Sequence, residues 1–169
     1  AWAGHGGQKE ITAEQVLLMF NKMKPVMDEK IIWFIYEKNT PIGIFVNLPD
    51  INQWFKHLGG QFGFFQKLKF LYLKATLPNK KFVGLVFGIV PKWQGKGADA
   101  YLIGEASKRY IQTSKSPYID FEMQWIGDFN PKMLNVAGNL GNVAESRRLS
   151  TYRYLFDRDK PFTAHPILI

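Results

Sequence analysis

The sequence predicts an α/β fold built on a mixed sheet. Two observations carry that expectation. Helix-like and strand-like runs alternate in the order helix, hairpin, strand, helix, strand, helix, strand. The chain of 169 residues, 46% hydrophobic and 21% charged, also has the size and composition to bury one good core. A single domain spanning residues 1–169 is expected, with no internal repeat or low-complexity tract.

Residues 1–10 read as a flexible lead-in, since AWAGHGG is rich in small residues and lacks the basic-then-apolar order of a signal peptide. TAEQVLLMFNKMK reads as a helix: Thr12 can cap it, Gln15 completes a capping box, and Val16, Met19, Phe20 and Met23 share a face before Pro25 stops it. IIWFIY and IGIFVNL are β-rich runs joined by the turn-like EKNTP, which makes a hairpin. Asp50 can then cap a short helix through INQWFKHL, ahead of Gly59 and Gly60.

Residues 51–80 form an insertion. In QFGFFQKLKFLYLKATLPNKK, aromatics and lysines interleave without strand alternation, and the spacing of Phe65, Leu68, Tyr72 and Ala75 suits one helix face. That face either docks on the domain or, because Lys67, Lys69 and Lys74 flank it, makes peripheral contact with a membrane through residues 61–75. Downstream come a strand over 82–90, a helix from about Gly97 to Thr113, a strand over 118–126, a helix from Asn130 to about Leu140 and a strand over 151–157.

With 22 basic and 14 acidic residues the net charge is +8, which favours an anionic partner: nucleic acid, a lipid surface or a phosphorylated cofactor. The interleaved aromatics and lysines invite single-strand stacking, but no RNP-like or helix-turn-helix pattern accompanies them, which disfavours nucleic acid. The absence of cysteine and the scatter of His5, His57 and His165 argue against a thiolate or histidine metal site. A cysteine-free chain fits a reducing cytoplasm. The longest apolar runs, IIWFIY and FVGLVFGIV, fall well short of the ~20 residues of a membrane-spanning helix.

The segment PKWQGKGAD follows the apolar run that ends at Val90. Gly95 and Gly97 permit a sharp turn, and a helix starting near Gly97 offers unpaired N–H groups at the positive end of its dipole. An anion, most simply a pyrophosphate, is stabilised there, with Lys92 and Lys96 close by. The spacing is neither that of a Walker loop nor that of a dinucleotide fingerprint. A plain strand-to-helix turn with surface lysines accounts equally well for the loop alone.

FGIVPKWQGKGADAYLI resembles the acyl-CoA-binding segment of the GCN5-related N-acetyltransferase superfamily: a strand, a loop of pattern [QR]-x-x-G-x-[GA], and a helix. Gln94, Gly95, Lys96 and Gly97 match the pattern, while Asp99 departs from it where a small residue is usual. Ile126, Asn130, Met133 and Gly141 are similar to the superfamily's second segment, and the hairpin to its paired strands. The resemblance covers residues 30–157 apart from the insertion. It implies a mixed, mostly antiparallel central sheet flanked by helices. It also implies acetyl-CoA or another acyl-CoA as co-substrate, held through Ile89, Val90, Gln94, Gly95, Lys96, Gly97, Ala98 and Asp99, with Asn130 contacting the cofactor arm. Asn130 before Pro131 is equally explained as an N-cap. The superfamily's first strand and helix are not evident, so the chain is expected to be the later part of a longer member.

Acyl transfer from a thioester to an amine needs a base, an oxyanion donor and an acid. On the strand over 118–126, Asp120, Glu122 and Gln124 alternate with apolar residues, and Glu122 is the candidate base. A structural role, with its charge satisfied by Lys108 or Arg109, is the competing reading. The oxyanion donor is expected to be the backbone N–H of Val90 or its neighbour. Where many members of the superfamily carry a tyrosine acid this chain has Ala137, which leaves Tyr152, Tyr154 or water for that role, or a non-catalytic module of a larger protein. The expected partners are therefore an acyl-CoA and an amine acceptor whose class the sequence leaves open.

Overall fold

The computed structural model describes residues 12–141, 143–150, 152, 154–161, 163 and 167. The expected lead-in, residues 1–10, lies outside these residues. The chain forms two compact units, one ending at Gln124 and the other beginning at Trp125.

The first unit is built on a four-stranded sheet: β1 (Ile32–Glu37), β2 (Thr40–Pro49), β3 (Lys81–Ile89) and β4 (Asp120–Met123), side by side in that order. β1, β2 and β3 pair antiparallel, while β4 runs parallel to β3. The α/β class and the mixed sheet are therefore as expected. The β1–β2 turn is tighter than EKNTP suggests, since Thr40 and Pro41 already belong to β2 and Lys38 takes the left-handed conformation (φ 52°).

Helix α4 (Ala98–Ala106) covers one face of the sheet. Ala98, Leu102 and Ala106 recur every four residues and so share one stripe. Two of the three are alanines, which lets the helix lie close to Ile35, Ile42, Phe45 and Ile89. The helix expected to run to Thr113 instead passes into a π-helical turn over Ser107–Ile111. β4 is shorter than 118–126 at both ends, and Tyr118, ahead of it, packs into the core: its ring meets Phe82 at 5.2 Å, and its hydroxyl donates to Asp28 Oδ2 at 2.8 Å. Gly84 admits Phe121, whose ring a Cβ there would meet at 3.2 Å.

Helix α1 (Ala13–Met23) carries the expected capping box, with Thr12 Oγ1 accepting from Gln15 N and Gln15 Oε1 from Thr12 N. Val16, Phe20 and Met23 are half-buried, whereas Met19 is exposed. Helix α2 is only the turn Asn52–Phe55, and Asp50 accepts from Asn52 N at 3.1 Å instead of capping the helix from the N-cap position, which is Ile51. Trp54 anchors this turn by donating Nε1 to Leu77 O at 3.0 Å.

Helix α3 (Phe64–Thr76) exists as expected, but the docked face is not the expected one. Phe70 and Leu73 pack on Trp54, Leu58, Val26 and Ile51, while Phe65, Leu68, Tyr72 and Ala75 face outward. Apolar residues line both sides of this helix, so periodicity fits either side. The aromatic contact Phe70–Trp54, edge to face at 5.8 Å, belongs to the side that docks.

In the second unit, helix α5 (Pro131–Gly138) matches the expected helix, and Gly141 beyond it is left-handed (φ 85°). The strand expected over 151–157 is not observed: residues 152 and 154–157 carry no strand, and Thr151 and Arg153 lie outside the described residues. No described helix is long and apolar enough to cross a membrane.

Candidate functional site

β3 ends with Ile89 in the core, and the chain turns through Pro91–Trp93 into the loop. Gln94 folds back, its Nε2 donating to Ile89 O at 2.9 Å, which staples the loop to the strand end. Gly95 (φ 70°) and Gly97 (φ 80°) are both left-handed, and a Cβ added at either would meet nothing within 4 Å. Backbone conformation, not crowding, therefore requires glycine at both positions, and the space beside them is open.

Gly97 is the N-cap of α4 and provides no side-chain cap. Tyr101 is the first amide to reach back, donating to Gly97 O at 2.9 Å, so the N–H groups from Gly95 to Ala100 have no acceptor among the described residues. The Lys96 ammonium sits 5.4 Å from the centre of the Trp93 ring, and Lys92 is exposed nearby in sequence. Asp99, the second residue of α4, is half-buried and makes no ion pair among the described residues. The expected loop residues Ile89 to Asp99 are thus gathered as one strand–turn–helix unit.

The pairing of β3 with β4 ends well before this loop. The last contact is Gln124 N to Gly84 O at 3.3 Å, and among the described residues no strand continues along that edge to Ile89. Val90 N donates to Ile42 O at 2.8 Å, so its N–H, one of the two expected oxyanion donors, is occupied. In an antiparallel pair successive residues alternate in direction, so Phe87 and Ile89 point their N–H groups away from β2, toward the edge that β4 has left.

Glu122 lies on β4 beside Val83, and Lys81 donates to its carboxylate in a half-buried ion pair. That hydrogen bond holds the Lys81 ammonium above its ordinary range. Phe121 points to the α4 side, so by alternation Glu122 occupies the opposite face. Lys108 and Arg109 were the expected structural partners, but Arg109 pairs with Glu105 at 2.8 Å. Six residue steps of β3 lead from Val83 to Ile89, about 20 Å at roughly 3.3 Å per residue, so Glu122 and the loop are distant along one strand.

The remaining expected residues belong to the second unit. Asn130 caps α5, its Oδ1 accepting from Met133 N at 3.1 Å. Tyr152 is 92% exposed. The Tyr154 hydroxyl accepts from Arg158 Nη2 at 2.8 Å, and the guanidinium lies over its ring.

Lys81 and the edge amide of Phe87 are absent from the residues expected from sequence, whereas Ile89 was among them. Lys81 becomes visible only through the parallel β3–β4 register, and the Phe87 amide only through where that pairing stops. Neither carries a side-chain signature.

No family model matches the sequence. The chain is similar to a protein of Caulobacter vibrioides named bacterial ceramide synthase, 26% identical over 165 residues, covering 90% of this chain. The chain spans only 39% of that protein's length.

Proposed function

We propose that the chain is the acyl-CoA-binding part of an N-acyltransferase acting on a lipid amine. One observation carries this reading: the β3–α4 loop exposes consecutive unpaired amides from Gly95 to Ala100 beside Lys92 and Lys96, with open space at both glycines. An acyl-CoA pyrophosphate is the ligand this arrangement suits. The bare edge of β3 supports the same reading, because the amide-bearing arm of an acyl-CoA can add to a strand edge as a peptide does.

The acceptor class rests on the relative's name. A ceramide is a fatty amide, so a ceramide synthase makes an N-acyl bond, the bond class the superfamily resemblance implies. In the proposed reaction the amine nitrogen attacks the thioester carbonyl, the C–N bond forms, the C–S bond breaks, and the thiol leaves carrying a proton. The Ile89 N–H takes the oxyanion role in place of the occupied Val90 N–H. Water takes the amine proton, since Glu122 lies about 20 Å along β3 from Ile89, beyond reach of an amine at that oxyanion donor. Water returns a proton to the departing thiolate. Dependence on acyl-CoA assigns the chemistry to the cytoplasm.

A second reading, a module that binds acyl-CoA without turnover, is favoured by the prior engagement of Glu122 with Lys81. Thiol release separates the two readings, and a chain without cysteine gives no background to a thiol reagent. Acyl-CoA is incubated with the chain and a long-chain amino alcohol. Amine-dependent thiol release supports transfer. Binding of acyl-CoA without any release identifies the module, and absence of binding removes both.

A further inference from the structure

The geometry points to helix α3 as a peripheral docking element for an anionic lipid bilayer, entered by the side of the helix that faces away from the protein. This inference stands on α3 and its lysines, independently of acyl transfer.

At 100° per residue, Gln66, Phe70 and Leu73 fall on one side of α3, and that side is docked: Phe70 is only 6% exposed, against Trp54 and Leu58. The opposite side holds Phe64, Phe65, Leu68, Leu71 and Tyr72, each at least half exposed, with Phe65 reaching 78%. A surface helix of a soluble domain normally turns polar residues outward. Here the outward side is the more aromatic of the two, and a contiguous exposed apolar stripe of this kind marks an interaction surface.

Charge selects the partner. Between Ile51 and Lys80 there are five lysines and no acidic residue. Lys67, Lys69 and Lys74 lie on the flanks of α3, between the docked and the exposed sides. Lys69 donates to His57 O at 2.7 Å and Lys74 to Pro25 O, both carbonyls of neighbouring segments, while Lys67 lies 6.0 Å from the centre of the exposed Phe62 ring. Aromatic and leucine side chains bounded on both flanks by ammonium groups form the pattern that sits in the interface of an anionic membrane, rings among the acyl chains and lysines at the headgroups. A second copy of the chain would bring the same lysines against each other, with no acid in the segment to offset them.

The test is vesicle co-sedimentation of the full chain without CoA, using equimolar phosphatidylcholine and phosphatidylglycerol. The triple variant Phe65→Ser, Leu68→Ser, Tyr72→Ser removes only outward side chains and leaves the docked Phe70 intact. The wild-type chain is expected to partition to these vesicles, less so with added salt or on phosphatidylcholine alone, and the variant to lose about tenfold or more. Because the chain lacks cysteine, Phe65→Cys and Ser114→Cys each give a single attachment point for an environment-sensitive dye. The dye at position 65 is expected to shift to the blue on vesicles and the dye at position 114 to stay unchanged. Wild type remaining in the supernatant, equal partition of wild type and variant, an unchanged dye at 65, or a wild-type dimer that the triple variant breaks would each overturn the inference.

Discussion

The β3–α4 loop and helix α3 expose unusual surfaces made from opposite materials. The loop is built from backbone: two left-handed glycines and a run of amides without acceptors, with open space where side chains would stand. Helix α3 is built from side chains, with apolar residues on two opposite sides and lysines between them. A backbone site tolerates almost any neighbouring side chain but not the loss of its glycines, whereas a side-chain surface depends on which side chains it presents and asks of the backbone only that it stay helical.

The sharpest way to break this comparison is on α3 itself. Phe70→Ala empties a docked aromatic position and is expected to cost about 3–5 kcal/mol, read from denaturant unfolding. Phe65→Ala, on the outward side, is expected to change stability by less than about 0.5 kcal/mol. Equal losses would show that the two sides of α3 are not distinct.

A smaller effect is expected at Tyr118, which ties the start of β4 to the segment before β1. Burial, followed by the hydrogen bond to Asp28, raises its phenol above the ordinary 10.0. A raised folded-state value means that the unfolded chain releases this proton first. The stabilisation is therefore complete below pH 10 and is lost as pH climbs above it. Tyr118→Phe is expected to cost about 1–3 kcal/mol near neutrality, through the lost bond to a carboxylate, and to flatten the alkaline fall in stability. Unfolding midpoints measured on both sides of pH 10 check both parts.

The elements governed by local chemistry were legible in the sequence. Thr12 and Gln15 announce the start of α1, and Asn130 with Pro131 that of α5. The alternation of Asp120, Glu122 and Gln124 with apolar residues announces β4. The loop was legible for the same reason, since Gly95 and Gly97 are needed wherever φ turns positive. What escaped depends on tertiary partners. The docked side of α3 is chosen by Trp54 and Leu58, which periodicity within α3 cannot register. The partner of Glu122 is chosen by a parallel register with a strand about forty residues earlier. Residues 152 and 154–157 alternate as a strand would, yet alternation supplies no neighbour to pair with.

The central claim is that the loop amides hold the pyrophosphate of an acyl-CoA, and calorimetric titration of acetyl-CoA into wild type and Gly97→Asp tests it most directly. Position 97 has open space for a side chain, so the substitution meets only the left-handed backbone, at about 1–2 kcal/mol, and sets a carboxylate against the phosphates. Saturable binding by wild type, weakened about a hundredfold or more in a folded Gly97→Asp, is the predicted result. No binding by wild type, or equal binding by the two, would contradict it.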